Sequence, residues 1–352
     1  MAPEAQAAAC ALCGEPANNK CGACKSDTSS RQYCGKICQV KDWPTHKKAC
    51  KEAQNANLEN KLARVAKIVQ CVYYGFRERT WAVPLSDIED RDDVLIFHGG
   101  EMPDELGYLV KFPQHLVTND STKRAMLCAW SCDEALAWMH DLLAAFAEGM
   151  DVKFDEISTV LGRVLRRVSV PIPSGGYLDN WPSHLHDVLR ITATKSKKQW
   201  IIDLSGAQYG ICRTLWTWEE YKFAYAANIS KVQAFGASKA RFKLGAKLPG
   251  RTFLSLAVGA MAADHMNEAV NEWKVKRALS LPDLTRMKPE EYKQAALDLL
   301  GAIDKEFYGF TKNNDFKEEF AAATLYETMN PGKSEELLDE INAAFLARAA
   351  TP

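Results

Sequence analysis

Net charge is almost absent from this chain: 44 Lys and Arg stand against 45 Asp and Glu, leaving -1. A protein built mainly to coat nucleic acid needs a basic excess, so the balance argues against nucleic acid as the partner. Long apolar runs are absent too, and no stretch reaches the length of a membrane span, so no membrane role is expected. Met1-Ala2-Pro3-Glu4-Ala5-Gln6 has no basic region followed by an apolar run, so no signal peptide is expected and the compartment reads as cytoplasm or nucleus. There is no G-x-G-x-x-G fingerprint and no Walker loop, which removes the common nucleotide-binding readings. No internal repeat and no long low-complexity segment is visible. What remains is a chain of 352 residues with 47% hydrophobic composition, enough for about two domains and a sizeable core.

The most informative feature is a cluster of metal-ligand residues near the N-terminus: Cys10, Cys13, Cys21, Cys24, Cys34, Cys38, His46 and Cys50, spaced C-x2-C-x7-C-x2-C-x9-C-x3-C-x7-H-x3-C. A tetrahedral structural zinc takes four Cys or His ligands, often supplied as close pairs, so four pairs imply two zinc ions. The competing reading is a set of free or disulfide-bonded cysteines. Disulfide frameworks belong to secreted chains, and this chain lacks that context. Of the 11 cysteines seven fall here; Cys71, Cys128, Cys132 and Cys212 follow without regular spacing. The region also carries Lys20, Lys25, Arg31, Lys36, Lys41, Lys47 and Lys48 against Glu15, Asp27 and Asp42, a mild excess read as a solvated face rather than a phosphate patch.

The residues between the ligands sharpen this. Tyr33-Cys34-Gly35-Lys36-Ile37-Cys38-Gln39, then Asp42-Trp43, His46-Lys47 and Cys50, closely resemble the MYND zinc finger over residues 10 to 50. The resemblance implies an interleaved pair of sites, Cys10, Cys13, Cys34 and Cys38 around one zinc and Cys21, Cys24, His46 and Cys50 around the other; by ligand count alone, sequential pairing would serve as well. With no ligand position left open, both metals would be structural. A segment this short buries little core, so metal binding must supply most of its folding free energy. The resemblance also implies a protein partner, in particular short proline-containing peptides. Trp43 would either belong to that surface or pack the finger's small core. Companions often found with this finger are missing: there is no N-H-S-C segment of the SET methyltransferase type, and none of the seven histidines has the H-x-D spacing of an iron-dependent prolyl hydroxylase.

Beyond the finger, Lys51–Asn60 is polar, and apolar residues then recur at helical spacing at Leu62, Val65, Ile68, Val69, Val72 and Tyr73. This reads as a connecting helix over residues 51–80, followed by one α+β domain over 81–352. Strands are expected at Val94–Phe97 and Tyr108–Phe112. Helices are expected from about Thr122 to Glu148 and at Asp155–Arg167, and residues 171–183 read as a loop. A hairpin is expected from strands Asp187–Thr194 and Gln199–Leu204 across the turn at Lys195–Lys198. Thr217-x-x-Glu220 is a capping-box signature opening a helix. The last third reads as all-helical, with patterns at Leu254–Leu279, from Pro289, at Asp315–Thr328 and at Ser334–Ala349. The fold class is therefore a small zinc-stabilised MYND module followed by an α+β domain with a helical C-terminal third.

One further constellation carries chemistry. His186 opens the first hairpin strand and Asp203 closes the second, an arrangement that resembles the His and Asp of papain-like and transglutaminase-like folds. Those folds place a nucleophilic Cys earlier, at a helix N-terminus where free N–H groups lower its pKa. Cys132 suits that role if Ser131-x-x-Glu134 caps a helix; Cys128, beside Met126, Leu127 and Trp130, reads as core, and His184 competes with His186. The blander reading makes Asp203 and Gln208 turn residues and the cysteines core. The sequence thus supports an interaction protein in the first place, with no catalytic residue assigned, and a thiol-dependent hydrolase or acyltransferase using Cys132, His186 and Asp203 as the alternative.

Overall fold

The computed structural model describes residues 8–24, 31–101 and 107–349. The leader reading on Met1–Gln6 and the charges of Lys25 and Asp27 lie outside the described residues. Two compact units emerge, Met1–Ala63 with Lys195–Lys198, and Arg64–Thr194 with Gln199–Pro352.

The first unit is built on a two-residue antiparallel pair, β1 (Asn19–Lys20) with β2 (Gln32–Tyr33), and on the start of a long helix, α1 (Lys36–Arg79). The helix expected after Cys50 therefore begins fourteen residues before it and runs without a break through the polar stretch Lys51–Asn60. Pro44 sits inside it and offers no N–H to the Val40 carbonyl, which is tolerable because Val40 faces solvent. The apolar positions read at helical spacing, Leu62, Val65, Ile68, Val69, Val72 and Tyr73, are all buried. Within this unit Lys198 Nζ pairs with Glu59 Oε2 at 2.8 Å.

The second unit continues with β3 (Leu85–Arg91), β4 (Val94–Gly99), α2 (Asp120–Cys128), α3 (Cys132–Trp138) and α4 (His140–Ala147). Strands β5 (Val152–Leu161), β6 (Arg167–Pro171), β7 (Tyr177–Asp179), β8 (His186–Ala193), β9 (Gln199–Ile202) and β10 (Leu215–Thr217) follow, then α5 (Trp218–Ala224) and β11 (Ala226–Ala234). The rest is helical: α6 (Ala237–Gly245), α7 (Arg251–Arg277), α8 (Leu281–Leu284), α9 (Pro289–Asn313), α10 (Lys317–Met329) and α11 (Lys333–Ala349). Five strands form an antiparallel sheet in the order β10-β9-β8-β5-β11, and four form a mixed sheet, β3-β4-β6-β7, in which β4 and β6 run parallel. Ile157, Val188, Ile201 and Tyr221 form a core on one face of the larger sheet. Trp81, Leu95, Phe97, Met126 and Val168 form another in the region of the smaller one.

Four expectations fail for physical reasons. The loop expected over 171–183 contains β7, because Gly175 and Gly176 at positive φ turn the chain back to pair with β6. The helix expected at Asp155–Arg167 is mostly β5, a strand with ladder partners on both sides. Its polar residues simulate a helix pattern but are buried with partners: Glu156 accepts from Gly236 N at 2.7 Å, Ser238 N at 2.9 Å and Ser238 Oγ at 2.6 Å, at the start of α6. The helix expected from Thr122 to Glu148 is three helices. Trp130 takes a left-handed φ of 49°, and its N–H donates to Gln208 Oε1 at 3.0 Å instead of continuing the turn. Tyr108–Phe112 joins neither sheet; Val110 N–H bonds the Trp81 carbonyl instead. The capping box at Thr217 forms, with Glu220 N–H on Thr217 Oγ1 and Thr217 N–H on the Glu220 carboxylate.

Candidate metal centre

Local structure brings the ligand pairs together. Cys10 and Cys13 flank a tight turn closed by Gly14 N–H on the Cys10 carbonyl at 3.0 Å, with Gly14 at φ +80°. Cys21 and Cys24 follow β1, with Cys21 N–H held by the Arg31 carbonyl at 3.0 Å. Cys34 lies just before α1 and Cys38 in its first turn. His46 and Cys50 are four residues apart on the same helix and so share a face.

The ligands gather in two sets, Cys10, Cys13, Cys34 and Cys38, and Cys21, Cys24, His46 and Cys50; within each, the donor atoms lie within 4.8 Å of one another. A tetrahedral zinc with Zn–S bonds of about 2.3 Å sets its sulfurs about 3.8 Å apart. The observed spacings fit: Cys13 to Cys34 and Cys34 to Cys38 are 3.5 Å, Cys38 to Cys13 is 3.8 Å and Cys21 to Cys50 is 3.9 Å. Cys24 Sγ lies 3.3 Å from His46 Nε2, so that ring nitrogen faces the second set. The partition is the interleaved one, and it excludes sequential pairing.

Electrostatics within each set favour a cation. Hydrogen bonds led by the Cys13 N–H lower the Cys10 thiol to about 6, while sulfur–sulfur contacts led by Cys38 push Cys34 up to about 12. In the second set burial opposes ionisation of Cys21, yet contacts led by His46 lower it to about 6; burial pushes Cys24 up to about 12. Thiols crowded into one set hinder one another's ionisation, and a divalent ion replaces the missing protons. Asp42 ties the parts of the finger together: buried in α1, it accepts from Arg31 Nη1 at 2.5 Å and from the buried Tyr33 hydroxyl at 2.8 Å. The Tyr33 and Asp42 positions are legible as motif letters; their mutual bond is not.

The start of α1 also shows an apolar ridge that sequence reading passed over. Ile37 is 73% exposed, Val40 62% and Trp43 42%, at successive three-residue steps. Trp43 also meets His46 edge-on, with ring centroids 6.1 Å apart. It therefore touches the second ligand set while keeping a large part of its indole in solvent. The signal for the ridge was the i, i+3, i+6 spacing amid lysines.

The second constellation is assembled in part. His186 Nε2 lies 3.0 Å from Asp203 Oδ2, and Tyr221 OH donates to the same oxygen at 3.2 Å; both members of the pair are fully buried. Tyr209 meets the imidazole edge-on, with centroids 4.9 Å apart. Cys132 occupies the first position of α3, but its sulfur contacts the Leu185 carbonyl at 3.7 Å and Asp187 Oδ2 at 3.8 Å, and it has no hydrogen bond to His186. Successive side chains of a strand leave on opposite faces, so the sulfur that meets Asp187 meets the face away from His186. Burial, then the Asp187 and Asp133 charges, pushes the Cys132 thiol well above its ordinary value. Ser131 and Glu134 form no capping box, the condition on which the nucleophile role of Cys132 rests: Ser131 Oγ accepts from Tyr73 OH at 2.6 Å, and Glu134 pairs with Arg77 at 2.8 Å. Cys128 is buried, as expected of core, and His184 lies at the surface against Ser183.

Among the described residues no helix is long and apolar enough to cross a membrane. No curated protein and no solved structure matches the chain. The family model of the MYND finger matches residues 10–50. Its span coincides with the first and last ligands of the two sets, so this part of the chain is a MYND finger with two clusters suited to zinc, a module that generally mediates protein interaction.

Proposed function

We propose that Cys10, Cys13, Cys34 and Cys38 hold one zinc, that Cys21, Cys24, His46 and Cys50 hold the second, and that the closed sites serve to present the start of α1 to a proline-containing peptide. The observation that carries this reading is the exposed ridge of Ile37, Val40 and Trp43 on a helix that itself contributes ligands. Pro-rich segments keep a preformed extended helix without internal hydrogen bonds, so they lose little entropy on docking and leave their carbonyls free. An indole suits the flat pyrrolidine rings, and Gln39, half-buried beside the ridge, supplies an amide donor for a peptide carbonyl. With no coordination position open, the metals hold shape and do no chemistry. A peptide array probed with the zinc-loaded full chain tests this. At least one proline-containing peptide is expected to bind, with Trp43→Ala weakening it about tenfold or more and Gln39→Ala weakening it less, both at unchanged zinc content. Equal binding by Trp43→Ala, or no peptide above background, overturns it.

The rival, a thiol hydrolase in the second unit, is favoured by the His186–Asp203 pair. We propose that Cys132 is a packed side chain there, because its neighbours are a carbonyl and a carboxylate rather than the imidazole. An electrophilic thiol probe at neutral pH is expected to spare Cys132 in the folded chain. Labelling confined to Cys132, and lost in both His186→Ala and Asp203→Ala, reverses this and promotes the enzyme.

A further inference from the structure

Outside the finger, one other set of metal-ligand side chains converges among the described residues. His265 and Glu268 stand one helical turn apart on α7, and Glu306 reaches them from α9. The two helices are fastened nearby by Trp273 Nε1–H on Asp298 Oδ2 at 2.7 Å, and α9 anchors its inner face with the buried Phe307 and Phe310. His265 Nδ1 lies 2.8 Å from Glu306 Oε1 and 3.8 Å from Glu268 Oε2, and the three donor atoms all lie within 4.8 Å of one another. The imidazole leans on Phe310, with ring centroids 5.2 Å apart, which limits its rotation.

Charge at this place is unbalanced. The imidazole is the only basic partner of either carboxylate among the described residues; no lysine or arginine comes within ion-pair distance of Glu268 or Glu306. With a neutral imidazole the set carries two negative charges, which a divalent ion cancels. Metal–N and metal–O bonds of about 2.1 Å put tetrahedral donors about 3.4 Å apart. The observed 2.8 Å and 3.8 Å lie on either side of that value, and all three donors fall within 4.8 Å of one another, so the trio is close to the spacing an ion requires. One imidazole with two carboxylates suits the borderline transition ions; calcium and magnesium favour oxygen ligands throughout. Glu268 is largely exposed and the other two are partly so, which leaves water free to complete the shell.

We propose that His265, Glu268 and Glu306 form a third metal site, open and exchangeable, for a zinc-like divalent ion. It contains no thiolate, so it binds more weakly than the finger and has a different spectroscopic signature. The test uses the full chain with both finger sites loaded with zinc and loosely held metal removed, titrated with cobalt(II). Expected is one additional ion per chain with weak d–d bands and no thiolate-to-cobalt charge-transfer band, together with selective broadening of the His265 ring protons in the NMR spectrum. His265→Ala and Glu306→Gln are each expected to lose that ion while keeping two zincs and the circular dichroism of the parent. Saturation at two metals in millimolar cobalt, an extra ion that survives in both variants, or unbroadened His265 signals in the parent protein would each overturn the site and leave the trio a helix-to-helix ion pair.

Discussion

Asp187 shows what a single buried carboxylate contributes at the residue scale. It opens β8 beside His186, accepts from Ser158 Oγ and lies 3.8 Å from the Cys132 sulfur. Burial first, then the nearby Asp133 charge, raises its carboxyl above the ordinary range. An acid with a raised pKa in the fold binds more protons there than in the unfolded chain. Its contribution is therefore full below the unfolded value, about 4, and is lost as pH rises through the raised value. Asp187→Asn keeps a carbonyl acceptor for Ser158 and removes the charge. Melting curves at pH 5 and pH 7 are expected to differ less in Asp187→Asn than in the parent; an equal or larger difference would show that the carboxylate is not the source. The same residue shows what decides the surroundings of Cys132. Its distance along the chain from His186 was legible, but which of two adjacent strand residues it meets was decided by strand register.

At the scale of elements, those with punctuation were legible and those without it were not. Thr217 and Glu220 form a box that can be read from four letters, and α5 begins there. Thr217→Ala removes the acceptor for Glu220 N–H and is expected to cost about 1 kcal/mol in chemical denaturation of the second unit; a change below a few tenths would mean that packing alone sets the start of α5. Pro289 likewise marks the start of α9. In contrast, β5 reads as a helix because Asp155, Glu156, Ser158 and Thr159 are polar, and only their distant partners, such as the N-terminus of α6 for Glu156, make them acceptable inside a sheet. The start of α1 was hidden in another way. Its first turns carry metal ligands, a proline and an exposed ridge, so no amphipathic stripe announces them.

For the whole molecule the division into two units sets the expectation for metal removal. The finger's buried set, Cys10, Ala17, Cys21, Cys24, Tyr33 and Cys50, consists mostly of ligands, whereas the second unit has extensive apolar clusters of its own. Purified, desalted protein is expected to hold two zincs. Chelation, or Cys21→Ala, is expected to unfold the first unit and to leave the main calorimetric transition of the second in place. One zinc or none by elemental analysis, or a single transition that disappears on chelation, would contradict this.

The sequence by itself determined the residues of the two clusters suited to zinc, because eight candidate ligands and their spacing are local and a tetrahedral ion accepts few other side chains. It determined the helical last third and the β8–β9 hairpin for the same reason: periodicity and turn residues act over a few positions. The tertiary structure decided the interleaved partition of the ligands, the identity of β5 and the partners of Cys132. Each of these depends on which distant segment lies alongside. Pairing across a sheet and convergence on one ion are settled by packing between residues remote in sequence, which no local pattern records.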